Sequence, residues 1–123
     1  MNNVVLSGRM VADPVLRTTP SGNSMATFTI AVRGNSNKEG TDRVHFLDCV
    51  TFLKLAETIV KHVTKGEKIT VMGSLNQRTY EGQDGKNHNV VEVFVREAEF
   101  QLKLIEGEAD AHEDEPKGKK SKR

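Results

Sequence analysis

The stretch Met25 to Arg33, MATFTIAVR, alternates. Ala26, Phe28, Ile30 and Val32 fall on one side, and Met25, Thr27, Thr29, Ala31 and Arg33 on the other, the period of a half-buried strand. Val4 to Val11 reads as an earlier strand, and DPVLRTTPSGN between them has the prolines and glycine of an irregular connection. After a polar loop, GNSNKEGTD, the segment Val44 to Leu53 is a third strand rich in apolar and aromatic residues. The period then changes. In KLAETIVKHVTKGEK, Leu55, Ile59 and Val63 recur every four residues beside Ala56 and Val60, which predicts a short amphipathic helix with Gly66 as its stop. A strand from Lys68 to about Tyr80, a turn EGQDGKN whose Asp84-Gly85 pair is a hairpin signal, and a last alternating strand reaching Ile105 complete the chain's ordered part.

Three strands, one helix and two more strands predict an all-β fold. The order is that of an OB-fold, a five-stranded Greek-key barrel with the helix between strands 3 and 4. The third strand carries more apolar surface than such a barrel needs. Val44, Phe46, Asp48, Val50 and Phe52 share one side and His45, Leu47, Cys49, Thr51 and Leu53 the other, and a barrel strand requires only its inner side to be apolar. One side must be covered by a second subunit or a ligand, and parity alone leaves open which. Phe46 and Phe52 are equally readable as core. On the fourth strand, Ile69, Val71, Gly73 and Leu75 share one side, so Ser74, Asn76, Arg78 and Tyr80 share the other. That second side pairs a cation with the chain's one tyrosine at the edge of the hairpin.

Composition narrows the functional classes. The 123 residues are 36% hydrophobic and 28% charged, with no apolar run near the roughly 20 residues that cross a bilayer. No basic region followed by a signal-length apolar stretch opens the chain, so a cytoplasmic location is expected. The net charge of +1 divides unevenly. Residues 106–123, EGEADAHEDEPKGKKSKR, hold six acidic residues and then five basic ones, a low-apolar tail expected to be disordered after a domain spanning 1–105. Cys49 is the only cysteine, in an apolar strand pattern that suits a buried inert thiol. The histidines are too far apart for a metal site, no phosphate-binding glycine loop occurs, and Asp13 and Asp84 sit in turn-forming sequence. The expectation is a protein that is not an enzyme and needs no cofactor or metal.

Aromatic rings interleaved with cations, Phe46, Phe52, Arg78 and Tyr80, suit bases stacked on π faces and phosphates held by charge. The rival reading is an OB-fold protein-interaction module with incidental nucleic-acid affinity.

The segments MNNVVLSGRMVADPVLRTTPSGNSMATFTIAV, FLDCVTFLKLAE, KGEKITVMGSL and RTYEGQDGK, in this order, resemble the bacterial single-stranded DNA-binding protein family over residues 1 to about 105. The resemblance implies an OB-fold, usually a homotetramer, that binds single-stranded DNA without catalysis during replication, recombination or repair. It implies base stacking by Phe46, Phe52 and Tyr80, with Arg9, Arg33, Lys54 and Arg78 attracting the backbone. It also places Asp48 and Val50 on the DNA side, with Leu47 and Cys49 toward the core. Two departures accompany it. The family's tryptophan in the loop after strand 2 would fall near Ser36 and is absent, and the acidic cluster Glu113-Asp114-Glu115 precedes a basic end, KGKKSKR, where an acidic tip closing in Pro-Phe is expected. Such an end argues against recruiting replication and repair enzymes through that tip, and fits a member carried by a phage or mobile element.

Overall fold

Each alternating segment becomes a strand, and the change of period becomes the helix. The computed structural model describes residues 1–36 and 42–101; the charged tail and residues 102–105 of the last expected strand lie outside the described residues. The elements are β1 (Val4–Met10), β2 (Val15–Thr18), β3 (Ser24–Ser36), β4 (Asp42–Phe52), α1 (Leu53–His62), β5 (Lys68–Glu81) and β6 (Asn87–Phe100). The sheet runs β1-β5-β6-β4-β3-β2, and an additional β1–β3 pairing closes β1, β3, β4, β5 and β6 into a ring. This is the expected five-strand circuit, the topology of the OB-fold.

One element lies where the sequence reads as an irregular connection. The segment Val15–Thr18 pairs antiparallel with β3, Val15 opposite Thr27 and Thr18 opposite Ser24. All its residues are exposed, so it carries no inward apolar alternation to betray it, and the cross-strand ladder alone makes it a strand. The flanking prolines mark its ends.

The ring encloses Met10, Phe28, Ile30, Cys49, Ile69, Val71, Val93 and Val95, and Ile59 and Val63 from the helical segment join them. The helix ends earlier than its periodicity suggests. Val63 leaves it in an extended conformation while its N–H still bonds the Ile59 carbonyl, which keeps its side chain in the core at 1% exposure. Gly66, with φ +88°, turns the chain after that, and its N–H donates to the Met10 carbonyl at 2.8 Å.

A bulge in the β5–β6 ladder sets what faces outward. Met72 pairs with Glu97 but Gly73 pairs with Val95, so Arg96 is an extra residue on β6. One extra residue reverses the side on which all later residues lie. Ala98 and Phe100 pack on the core below the bulge, Val95 and Val93 enter it above, and Phe94, Glu92, Val90 and His88 are turned out. Gly73 permits the bulge because a Cβ there would lie 1.8 Å from the Phe94 carbonyl oxygen.

Candidate nucleic-acid interface

Strand β4 supplies the first aromatic residues. Its register with β3 places Phe46 opposite Ala31, Asp48 opposite Thr29, Val50 opposite Thr27 and Phe52 opposite Met25. The open choice of side is thereby decided. Cys49 is 2% exposed and Leu47 packs against the core, whereas Phe46 is 66% exposed. Val50 lies between the two phenylalanines on their side of β4, as the resemblance implies. It is buried there, flanked in register by Thr27 and by Phe94 of the parallel strand β6. Its neighbour Thr51 faces the other way, fully buried, and donates its hydroxyl to the Val95 carbonyl at 3.0 Å.

Strands β5 and β6 continue the same surface. Arg78 and Tyr80 stand on the outward side of β5, with Val90 and His88 opposite them on β6. The Arg78 guanidinium carbon lies 5.9 Å from the Tyr80 ring centre, and its Nε donates to Glu92 Oε1 at 3.3 Å. Side-chain exposure of 55% for the arginine limits that ion pair to about 0–1 kcal/mol, so its main effect is to orient the guanidinium. His88 stacks on Tyr80, centroids 5.4 Å apart and planes inclined 27°. Its Nε2 also lies 3.1 Å from Asp84 Oδ1. The Asp84 carboxyl is held below its usual range, first by the Lys86 N–H and then by His88. Asp84 therefore serves the hairpin turn, where Gly85 takes φ +76°.

Two grooves open on this surface. The first, about 550 Å³, brings Phe46, Asp48, Arg78, Glu92, Thr29 and Val15 together. The second, about 460 Å³, is basic, with Arg9, Arg33 and Lys68 around Ser7, Ala31 and Val44. Ala31 of the second groove pairs with Arg9 on β1 and with Phe46 of the first groove on β4. Arg9 is anchored by an Nη1–H bond to the Gly66 carbonyl at 3.1 Å.

Phe52, Tyr80 and Lys54 line neither groove. Phe52 reaches the surface at 39% exposure and meets Phe94 edge-on, centroids 5.8 Å apart and planes at 79°. Tyr80 joins the first groove through Arg78. Lys54 is exposed in the first turn of α1, two residues after Phe52, where Leu53 takes φ +62°. Among the described residues no three His, Cys, Asp or Glu side chains gather as metal ligands. Burial, with Asp48's charge adding to it, pushes the Cys49 thiol up to about 12, which suits packing and not nucleophilic chemistry.

Comparison with known proteins is independent of this surface. The model of the single-strand binding protein family matches residues 1–101. The chain belongs to that family. A single-stranded DNA-binding protein of Bacillus cereus is 45% identical over 101 residues, which are 81% of this chain and 59% of that protein. One from Enterococcus faecalis is 45% identical over 103 residues, 83% of this chain and 54% of that protein. Single-stranded DNA-binding protein 1 of Staphylococcus aureus is 43% identical over 101 residues, 81% of this chain and 60% of that protein. The chain spans less than two thirds of the length of these relatives.

Phe94, His88 and Lys68 also face this surface, yet their place on it was not read from the sequence, whereas Asp48 lies on the side that the resemblance gave it. Phe94 carried a usable signal, since it is an aromatic residue on the side opposite Val91, Val93 and Val95. His88 carried none, because its stacking on Tyr80 depends on the hairpin register.

Proposed function

We propose that this protein binds single-stranded DNA with little sequence specificity, without catalysis, and protects it in the cytoplasm during replication, recombination or repair. The observation that carries the reading is Phe46, two-thirds exposed on a strand whose opposite side is core, in a groove shared with Arg78. Leaving a phenylalanine in water costs burial free energy, and a stacked base recovers it. Phe46, Phe52 and Tyr80 form the stacking surface. Arg9, Arg33 and Arg78 attract phosphates along it, and Lys54 joins them at the Phe52 end. Family membership supports the same reading, as do the relatives, which are single-stranded DNA-binding proteins by name.

The protein acts as a homo-oligomer, a tetramer by family resemblance. Val5, Leu75 and Val91 are about half or more exposed, apolar area that a subunit contact would cover. No helix among the described residues is long and apolar enough to cross a membrane.

Tyr80 is the one tyrosine and the chain has no tryptophan, so its emission reports a single position. Titration with a thymidine oligonucleotide should quench it saturably, duplex DNA should not, and salt should weaken the binding with a log-log slope near −0.7 per phosphate neutralised. Arg33→Ala should flatten that slope by about 0.7. Tight binding without quenching would move the site away from Tyr80. No binding would return the protein to the interaction-module reading.

A further inference from the structure

The first groove is not uniformly cationic. Two carboxylates, Asp48 and Glu92, stand in it beside the most exposed aromatic ring of the surface. A carboxylate repels phosphate, so its presence there needs a physical account. Glu92 has one: it takes the Nε–H of Arg78 and is only 15% exposed. Asp48 is different. It is exposed, its Oδ1 accepts the Thr29 hydroxyl at 2.8 Å, and among the described residues its Oδ2 has no hydrogen bond. Thr29 lies directly opposite it on β3, so the hydroxyl holds the carboxylate in one orientation.

Asp48 also sits two positions from Phe46 on the same side of β4, roughly 7 Å along the strand. A base stacked on Phe46 therefore has one edge near a fixed hydrogen-bond acceptor and another toward the Arg78 donors. The bases differ at such an edge. Cytosine, adenine and guanine each carry an exocyclic amino group that donates to a carboxylate, whereas thymine and uracil present a carbonyl oxygen at the position of cytosine's amino group.

Resting on the single-strand reading, we propose that Asp48 is a specificity-determining residue of that site, favouring bases with an exocyclic amino group at the Phe46 position. Stacking itself is indifferent to base identity. The carboxylate adds an edge contact to one class and a carbonyl–carboxylate repulsion to the other. Asn is the informative replacement because it keeps the shape and the Thr29 partner while offering either a donor or an acceptor to the base.

The test compares full-length wild type with Asp48→Asn, each titrated by anisotropy with labelled oligo-dC and oligo-dU of equal length. Mildly alkaline pH keeps cytosine tracts unpaired, and these two pyrimidines differ at the edge group without the thymine methyl as a confounder. The readout is the ratio of the dU to the dC dissociation constant, since differences in how stiff the two oligonucleotides are cancel between the variants. One charge-assisted hydrogen bond at a solvated site predicts that the ratio falls about fivefold in Asp48→Asn. An unchanged ratio overturns the assignment. So does tighter binding of both oligonucleotides by one common factor, because Asp48 would then act only as a repulsive charge. If wild type binds neither oligonucleotide, the single-strand reading itself has failed, a result distinct from binding both with an unmoved ratio.

Discussion

Replacing Phe46 with alanine should separate binding from folding, and replacing Phe52 should not. Phe46 is 66% exposed, so about a third of its surface is buried in the fold. A wholly buried aromatic side chain removes about 150–250 Å² from water, and at about 25 cal/mol per Å² the buried third of Phe46 is worth about 1–2 kcal/mol. Phe52 is 39% exposed and meets Phe94 edge-on. Its burial is worth about 2–4 kcal/mol, with about 0.5–1.5 kcal/mol more from the edge contact. Binding runs the other way for Phe46, whose exposed ring is free to take a base. Losing one stacked base costs about 1–3 kcal/mol, a rise of about 5- to 150-fold in Kd. Urea unfolding and titration with a thymidine oligonucleotide measure the two effects on the same preparations. Phe46→Ala should bind weakly and lose only about 1–2 kcal/mol of stability, while Phe52→Ala should lose affinity and about twice as much stability. A Phe46→Ala protein that keeps its affinity, or that unfolds as readily as Phe52→Ala, would sink the division between an open ring and a half-packed one.

Gly73→Ala should destabilise the fold by about 3 kcal/mol or more, because its Cβ would lie 1.8 Å from the Phe94 carbonyl oxygen and the two backbones must part. Chemical unfolding measures the loss; a stability within about 1 kcal/mol of wild type would show that the bulge is not held by glycine. The Cys49 thiol, pushed up to about 12 from a usual 9.0, should resist alkylation by iodoacetamide in the native protein and react only on unfolding. Because the folded pKa is raised, its contribution to stability is complete below about pH 9 and is lost as pH rises through about 12. Rapid native-state alkylation at neutral pH would contradict that burial.

Local pattern carried far in this chain because its ring strands are half-buried. Ala26, Phe28 and Ile30 are buried as the alternation of β3 requires, and Ile69 and Val71 likewise in β5. The aromatic and cationic candidates were visible for the complementary reason: Arg78 and Tyr80 lie on the parity opposite the core residues. The element that escaped was β2, whose four residues are all exposed and depend on pairing with β3. The limits of α1 also shifted, since Val63 serves the core better extended than helical.

The sequence by itself determined the order of the ring strands, the position of the helix and the identity of the residues with a side left over. Those properties follow from period and composition, which act within a few residues. Tertiary structure alone decided that Val50 is buried while Phe46 stays open, although both share one side of β4: Val50 lies in register with Phe94, on a strand more than forty residues later. It decided through the bulge at Gly73 that Phe94, Glu92 and His88 face outward. It also brought Asp48 beside Thr29, and Arg9 and Phe46 to either side of Ala31. Pairing registers of this kind join distant segments, and hydrophobic period within one segment carries no information about which partner lies across from it.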